Sequence, residues 1–195
     1  PTLSYNGGYV LITELQTERL IIRQVQVSDA PELFRIWSDP VVTQYMNISP
    51  FQTERQALDM IELLKELARE QKAVRFSIVH RETNDIIGSC GYNFLDYEYG
   101  KAEIGYDLAQ TYWGKGYASE AIGLLVDYAF SSLQFNRIEA KVIPENSSSI
   151  KLLQRLHFIY EGTLQEDEET DGQFTHLHKY TRVKMDESAY KQDGD

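Results

Sequence analysis

The run Tyr112-Trp113-Gly114-Lys115-Gly116-Tyr117-Ala118-Ser119-Glu120-Ala121 carries the clearest chemistry in the chain. It leads from an alternating, strand-like segment through two glycines into an amphipathic helix. Glycine admits the backbone angles that gather several N–H groups on one point. The helix behind adds the unpaired amides of its first turn and the positive end of its dipole. Together these make an anion cradle, and phosphate is its natural occupant. A P-loop is excluded, because the spacing Gly-x-x-x-x-Gly-Lys-Ser/Thr does not occur around Gly114 or Gly116. A dinucleotide fingerprint fits in part: Gly114-x-Gly116 leads to Ser119 where a small Gly or Ala belongs, with an acid further on at Glu139. The strand before such a fingerprint is a continuous apolar run, and the half-exposed alternation here is not. A glycine-rich turn with no ligand is the plainest alternative.

The elements that must hold this cradle follow from periodicity. Residues 1–16 read as a leader, 17–185 as one domain and 186–195 as a frayed tail. Leu20–Val25 reads as a first strand, and Ser28-Asp29 supplies N-cap chemistry for a short helix ending before Asp39-Pro40. Ala57, Ile61, Leu64 and Ala68 stripe a helix over 52–71. Residues 74–79 and 86–92 read as a hairpin around Thr83-Asn84-Asp85. In Lys101–Leu108 the even residues Ala102, Ile104, Tyr106 and Leu108 face a core, while Lys101, Glu103, Gly105 and Asp107 face away. The helix after the glycines buries Ala118, Ala121, Ile122, Leu125, Val126 and Ala129. A strand over 137–143 follows, then a helix capped by Asn146 with a stripe of Ile150, Leu153 and Leu156, then two strands flanking Asp171-Gly172. Hairpin-joined strands crossed by helices predict an α+β fold.

Totals narrow the function classes. A chain of 195 residues with 42% hydrophobic content buries a core without staples. Its single cysteine, Cys90, excludes an internal disulfide and a cysteine-based zinc site. No apolar run approaches the ~20 residues of a membrane span and no signal-peptide pattern opens the chain, so a cytoplasmic address is the default. The net charge of −11 argues against nucleic-acid or membrane partners and favours cationic ones, unless it serves solubility alone.

Trp113-Gly114-Lys115-Gly116-Tyr117-Ala118 resembles the acetyl-coenzyme A pyrophosphate loop of GNAT-superfamily N-acetyltransferases, Gln/Arg-x-x-Gly-x-Gly/Ala, with Trp113 in the Gln/Arg place. That form is similar to the RimJ/RimL-like branch, the ribosomal-protein N-terminal acetyltransferases and their relatives. Thr17–Arg23, Asp39-Pro40-Val41 with Tyr45-Met46, Ala102–Tyr106, Pro144–Ser149 and Phe158-x-x-Glu161-Gly162 resemble further blocks of that branch in order. The resemblance covers about 17–184. It implies a mixed, mostly antiparallel twisted sheet of about seven strands with helices on both faces. Where the family ends a helix with glycine, this chain has His157, so the left-handed cap falls to another residue.

The resemblance also implies acetyl-CoA as co-substrate and no metal. The pantetheine arm would pair with Tyr106, Asp107 and Leu108, and the pyrophosphate would rest on the amides of Lys115 to Ser119. Gly105 suits a bulge or close backbone approach in that strand. A backbone N–H near Leu108 is the natural oxyanion donor. Glu103 is the first general-base candidate, against a surface carboxylate paired with Lys101. Leu153 stands where the family often has a tyrosine acid, which leaves Ser149 to hydrogen-bond the leaving thiol. Asn146 and Ser149 are also ordinary helix-start chemistry, the cap being worth ~1 kcal/mol.

The acids from Glu166 to Asp171 form either a solvated turn or a collar for a cationic amine, with Glu168 as second base. His176 and His178 share a strand face without a further ligand pattern, and Cys90 is expected in the core rather than as an acyl carrier. The expected acceptor is the N-terminal α-amine of a basic, ribosomal-type protein, then a polyamine or small amine. The expected transfer is by direct attack in a ternary complex. An idle coenzyme-binding domain is the alternative, and relatives imply a homodimer.

Overall fold

The computed structural model describes residues 13–46, 48–170 and 173–185, with backbone alone at 166–170 and 173–175. One mixed sheet dominates, in the order β1-β2-β3-β4-β5-β6-β8-β7. Its strands are β1 (Glu14–Gln16), β2 (Leu20–Gln24), β3 (Val74–His80), β4 (Ile86–Asp96), β5 (Lys101–Leu108), β6 (Arg137–Val142), β7 (Ile159–Thr170) and β8 (Gln173–Val183). Every pairing is antiparallel except β5 with β6. The α+β sheet with helices on both faces is the expected architecture, with eight strands rather than about seven. The extra strand lies in the segment read as a leader. Glu14–Gln16 pairs with Ile21–Arg23 across a turn in which Leu20 N–H donates to Thr17 Oγ1 at 3.0 Å. Three residues are too few for alternation to register in a sequence.

Helices α1 (Ala30–Trp37), α2 (Pro40–Thr43) and α3 (Glu54–Arg69) belong to one face of the sheet, and α4 (Tyr117–Ser131) and α5 (Ser147–Arg155) to the other. On the first face Leu33, Ile36, Trp37, Ala57 and Ile61 form a core of their own. On the second, Ile122, Leu125, Val126, Leu152 and Leu153 pack against Phe76, Tyr92, Ile104 and Ile138. The Asp29 carboxylate, read as a helix cap, turns inward instead. It accepts from the Arg23 guanidinium at 2.8 Å, from Gln26 N–H at 2.9 Å and from Ser77 Oγ at 2.7 Å. Burial pushes this carboxyl up, and those donors together hold it below the usual range.

The feature that positions the site is a divergence of β5 and β6. Their register runs only over Lys101–Glu103 against Arg137–Glu139. Beyond it, β6 stays with β8 while Ile104–Leu108 keep β4 as their sheet partner. A one-residue bulge in β4 at Asn93, where the register jumps between Tyr92 and Phe94, bends this part of the sheet. The bulge thus falls in β4, opposite Glu103 and Ile104, rather than at Gly105 in β5 itself. Glu139 locks the base of the divergence. Buried to 6% exposure, it accepts from Lys179 at 2.9 Å and Arg137 at 3.1 Å and faces Lys101 at 3.4 Å. That engagement removes it as the ribose-binding acid of a dinucleotide site.

Helix α5 ends on His157 itself, at φ 65°, which corrects the expectation that another residue makes the left-handed cap. The Phe158 N–H donates to Leu153 O at 2.9 Å, and burial of the Phe158 ring holds the turn. A side chain in this conformation costs about 1–2 kcal/mol. His157→Gly is therefore expected to stabilise the fold by about 1 kcal/mol. Urea unfolding checks this through a higher midpoint at unchanged slope; a lower midpoint would mean that the imidazole contributes more than the strain costs.

Candidate active site

A cavity of about 900 Å³ opens where β5 leaves β6. Glu103 to Asp107 of β5, Ala140 to Val142 of β6, and Asn146, Ser149, Leu152 and Leu153 at the start of α5 line it. Arg75, Asn93, Leu177, Ile122, Ile143 and the stretch after α2 (Gln44 to Met46 and Ile48) also line it. Alternation along β5 gives the cavity two sides. Ile104 and Tyr106 belong to the α4/α5 face, and Glu103, Gly105 and Asp107 to the α1/α3 face.

On the α4/α5 side, Asn146 caps α5 by accepting from Ser149 N–H at 3.2 Å. The Ser149 hydroxyl in turn lies 2.7 Å from the Tyr106 hydroxyl. Burial raises the phenol, so it keeps its proton at neutral pH. The tyrosine absent at Leu153 thus has a counterpart that arrives from the strand. Periodicity assigns Tyr106 to the core and the family resemblance gives its backbone to the coenzyme; neither anticipates this contact of its hydroxyl.

On the opposite side, Glu103 pairs with Lys141 Nζ at 3.5 Å, not with Lys101, which goes to Glu139. A Cβ at Gly105 would stand 2.7 Å from Asn93 Nδ2, so any larger residue there displaces the Asn93 amide. Asp107 does not face outward as alternation suggested. It is buried under α1, accepting from Trp37 Nε1 at 3.2 Å, from Ser89 N–H at 3.2 Å and from Ser89 Oγ. Burial raises its carboxyl despite those donors. The half-exposed reading failed because helices cover both faces of the sheet.

Leu108 and the loop to Ser119 lie outside the cavity lining, beyond the far end of β5. Trp113 Nε1 donates to Leu108 O at 2.7 Å, tying the loop to the strand. Gly114 and Gly116 take left-handed angles, φ 71° and 81°, and Gly116 is the N-cap of α4. The first-turn amides of Tyr117, Ala118 and Ser119 lack intrahelical partners by construction. Lys115 Nζ hangs over the Tyr112 ring at 5.7 Å. Arg19 carries no local signal of a role at this loop, standing 101 positions from its partner Glu120. It donates to Lys115 O at 2.9 Å, pairs with Glu120 at 3.2 Å and lies 4.2 Å over the Tyr117 ring. The Tyr117 hydroxyl meets His80 Nε2 at 3.1 Å.

The remaining candidates lie elsewhere. The Glu168 side chain is outside the described residues. His178 stacks edge-on with Tyr160 at 5.0 Å, and among the described residues no three His, Cys, Asp or Glu side chains gather as a metal site. Cys90 is buried in the core, where desolvation pushes its thiol up to about 12. At that value it is no nucleophile.

A profile of the acetyltransferase (GNAT) domain family matches residues 19–159. The chain belongs to the GNAT acetyltransferase family. As a GNAT N-acetyltransferase it takes its acetyl group from acetyl-CoA. It is 51% identical over 172 residues to N-acetyltransferase p20 of Bacillus licheniformis, itself uncharacterized, covering 88% of this chain and 97% of that one. It is 26% identical over 169 residues to the [ribosomal protein uS5]-alanine N-acetyltransferase of Escherichia coli, covering 82% and 85%. Among solved structures its fold is similar to RimL, a ribosomal L7/L12 α-N-protein acetyltransferase, in complex with coenzyme A. That likeness has TM-score 0.77 at 20% identity and covers 86% of this chain and 95% of RimL. The divergent strands, the two left-handed glycines and the free first-turn amides suit a pantetheine and a diphosphate, respectively.

The two glycines of this GNAT loop separate strain from space. A Cβ at Gly114 meets nothing within 4 Å, whereas one at Gly116 meets Arg19 Nη2 at 3.3 Å. Gly114→Ala is expected to cost only the left-handed strain of about 1–2 kcal/mol. Gly116→Ala also displaces Arg19 and is expected to weaken coenzyme A binding at least about tenfold, or about 1.4 kcal/mol. Calorimetric titration checks this; equal affinities in the two variants would remove Arg19 and Gly116 from the cradle.

Proposed function

We propose that this GNAT enzyme acetylates an α-amine, first of all a protein N-terminus, by direct attack in a ternary complex. The observation that carries the reading is the two-sided cavity: a carboxylate on one side of the β5 backbone and a paired hydroxyl system on the other.

With pantetheine laid along Ile104–Leu108 as an added strand, the thioester carbonyl comes to the gap between β5 and β6. The β5 amides toward Leu108 stabilise its developing negative charge. The amine enters from the α1/α3 side, where Glu103 takes its proton directly or through water. The C–N bond forms, the C–S bond breaks, and the thiolate leaves toward the α4/α5 side. There Ser149, backed by the protonated Tyr106, hydrogen-bonds the sulfur. Tyr106, Asp107 and Leu108 serve the pantetheine through their backbone, Trp113 to Ser119 hold the diphosphate, and Asn146 sets Ser149. The ribosomal-protein specificity named for the Escherichia coli relative supports an α-amine acceptor. So does chemistry: an α-amine with pKa near 8 is roughly a tenth neutral at pH 7, so the acceptor asks little of a base.

Glu103→Gln is expected to lower kcat about 10²-fold or more at pH 7. The deficit shrinks as pH rises toward the pKa of the acceptor amine, near 8, because the substrate then sheds its own proton. A pH series of initial rates checks this; a rate equal to the parent's at every pH would take Glu103 out of the mechanism and leave it as the partner of Lys141.

A further inference from the structure

The acceptor side of the cavity has a bare floor. In register across the sheet stand Arg75, Gly91 and Gly105, on β3, β4 and β5. A Cβ at Gly91 would clash with backbone, 2.1 Å from Val74 O, and one at Gly105 would stand 2.7 Å from Asn93 Nδ2 and displace that amide. The long Arg75 side chain borders this hollow and donates through Nη2 to Asn93 Oδ1 at 2.8 Å. With its oxygen so engaged, the Asn93 amide turns Nδ2 toward Gly105. Two donors of one bracket, the guanidinium and the amide NH2, therefore border the same hollow.

Among the described residues, one charge bordering it has no opposite partner in direct contact. The acidic and basic side chains that line the cavity, among the described residues, are Arg75, Lys141, Glu103 and Asp107. Glu103 is paired with Lys141, and Asp107 is taken by Trp37 and Ser89 beneath α1. Arg75 acts on Asp107 through the field alone, and among the described residues no ion pair joins it to a carboxylate. A guanidinium with spare planar donors is the preferred partner of a carboxylate or phosphate. The coenzyme's diphosphate has its own cradle beyond Leu108, past the far end of β5. The whole chain, at −11, favours cations at long range, yet the donors that border this hollow, the Arg75 guanidinium and the Asn93 amide, suit an anion.

We propose that the acceptor carries a carboxylate or phosphate beside its α-amine, and that Arg75 with Asn93 holds this anion while the amine meets Glu103. The inference rests on the reading above that the amine enters from this face. The anion is either the acceptor's own, as in a free amino acid or an aminoalkyl phosphate, or an acidic second residue of a peptide.

Matched acceptors separate these sources: an amino acid against its amide, aminoethyl phosphate against aminoethanol, and peptides with Glu, Gln or Lys in second place. The anionic member of at least one series is expected to have a kcat/KM ten times or more that of its neutral partner. Arg75→Met is expected to erase that ratio and leave the KM for acetyl-CoA unchanged, and Arg75→Lys to keep part of it. Asn93→Ala removes the brace without the charge and is expected to keep a reduced preference. Coenzyme A titration establishes that each variant is folded. Faster transfer to neutral or basic members in every series overturns the proposal, as does an Arg75→Met loss equal for all acceptors. A raised acetyl-CoA KM would place Arg75 at the coenzyme instead. Unchanged Glu103→Gln rates would instead defeat the underlying reading of the amine's entry.

Discussion

The register between β5 and β6 stops at Glu103 and Glu139, and the rest of the site follows from that stop. A parallel pair that continued to Leu108 would satisfy its own backbone and leave no gap. By diverging, the sheet leaves one edge of Ile104–Leu108 without a strand, and a buried unpaired backbone group costs about 1–3 kcal/mol. A substrate arm with amide groups of its own can satisfy that edge as an added strand. The divergence is held from below by the buried Glu139 among three cations, and from beside by the Asn93 bulge. Neither belongs to the catalytic groups, yet both decide where those groups stand.

A strand exposed along one edge also sorts chemistry by parity. Residue 103 and residue 106 lie on opposite sides of the same backbone, so the proposed proton removal from the amine and the proposed stabilisation of the leaving sulfur are separated by the sheet itself. The helices then specialise. The start of α5 brings Ser149 to Tyr106, and α1 covers Asp107 so that the strand end is fixed through Trp37. In the proposed reading, the Gly114–Gly116 turn, Arg19 and the start of α4 hold the far end of the coenzyme. Arg19 reaches across from the β1–β2 turn to do so, which links the first hairpin of the chain to its anion cradle.

Much of this was legible in the residues because it is local. The glycine pair before a helix, the alternation of Lys101–Leu108 and the capping asparagine all signal within ten residues, and the boundaries of the main elements agree to within a few residues. What escaped was relational. The Tyr106–Ser149 contact joins residues 43 apart, the Arg19–Glu120 pair residues 101 apart, and the Arg75–Asn93 brace depends on a bulge that shows only in the register. Period-two reasoning misplaced Asp107 because a polar residue on a covered face looks the same as one on an open face. His157 took a glycine's conformation because the Phe158 ring and one backbone bond fix the turn regardless of side chain. The three-residue β1 was too short to carry a pattern at all.

The most direct test of the account is amide hydrogen exchange with and without acetyl-CoA. If the open edge of β5 receives the pantetheine, exchange should slow at Ile104–Leu108 and at Lys115–Ser119 together, with Arg137–Val142 unchanged. Protection confined to other segments, or to the glycine turn without β5, would contradict a thioester seated in the gap between the diverging strands.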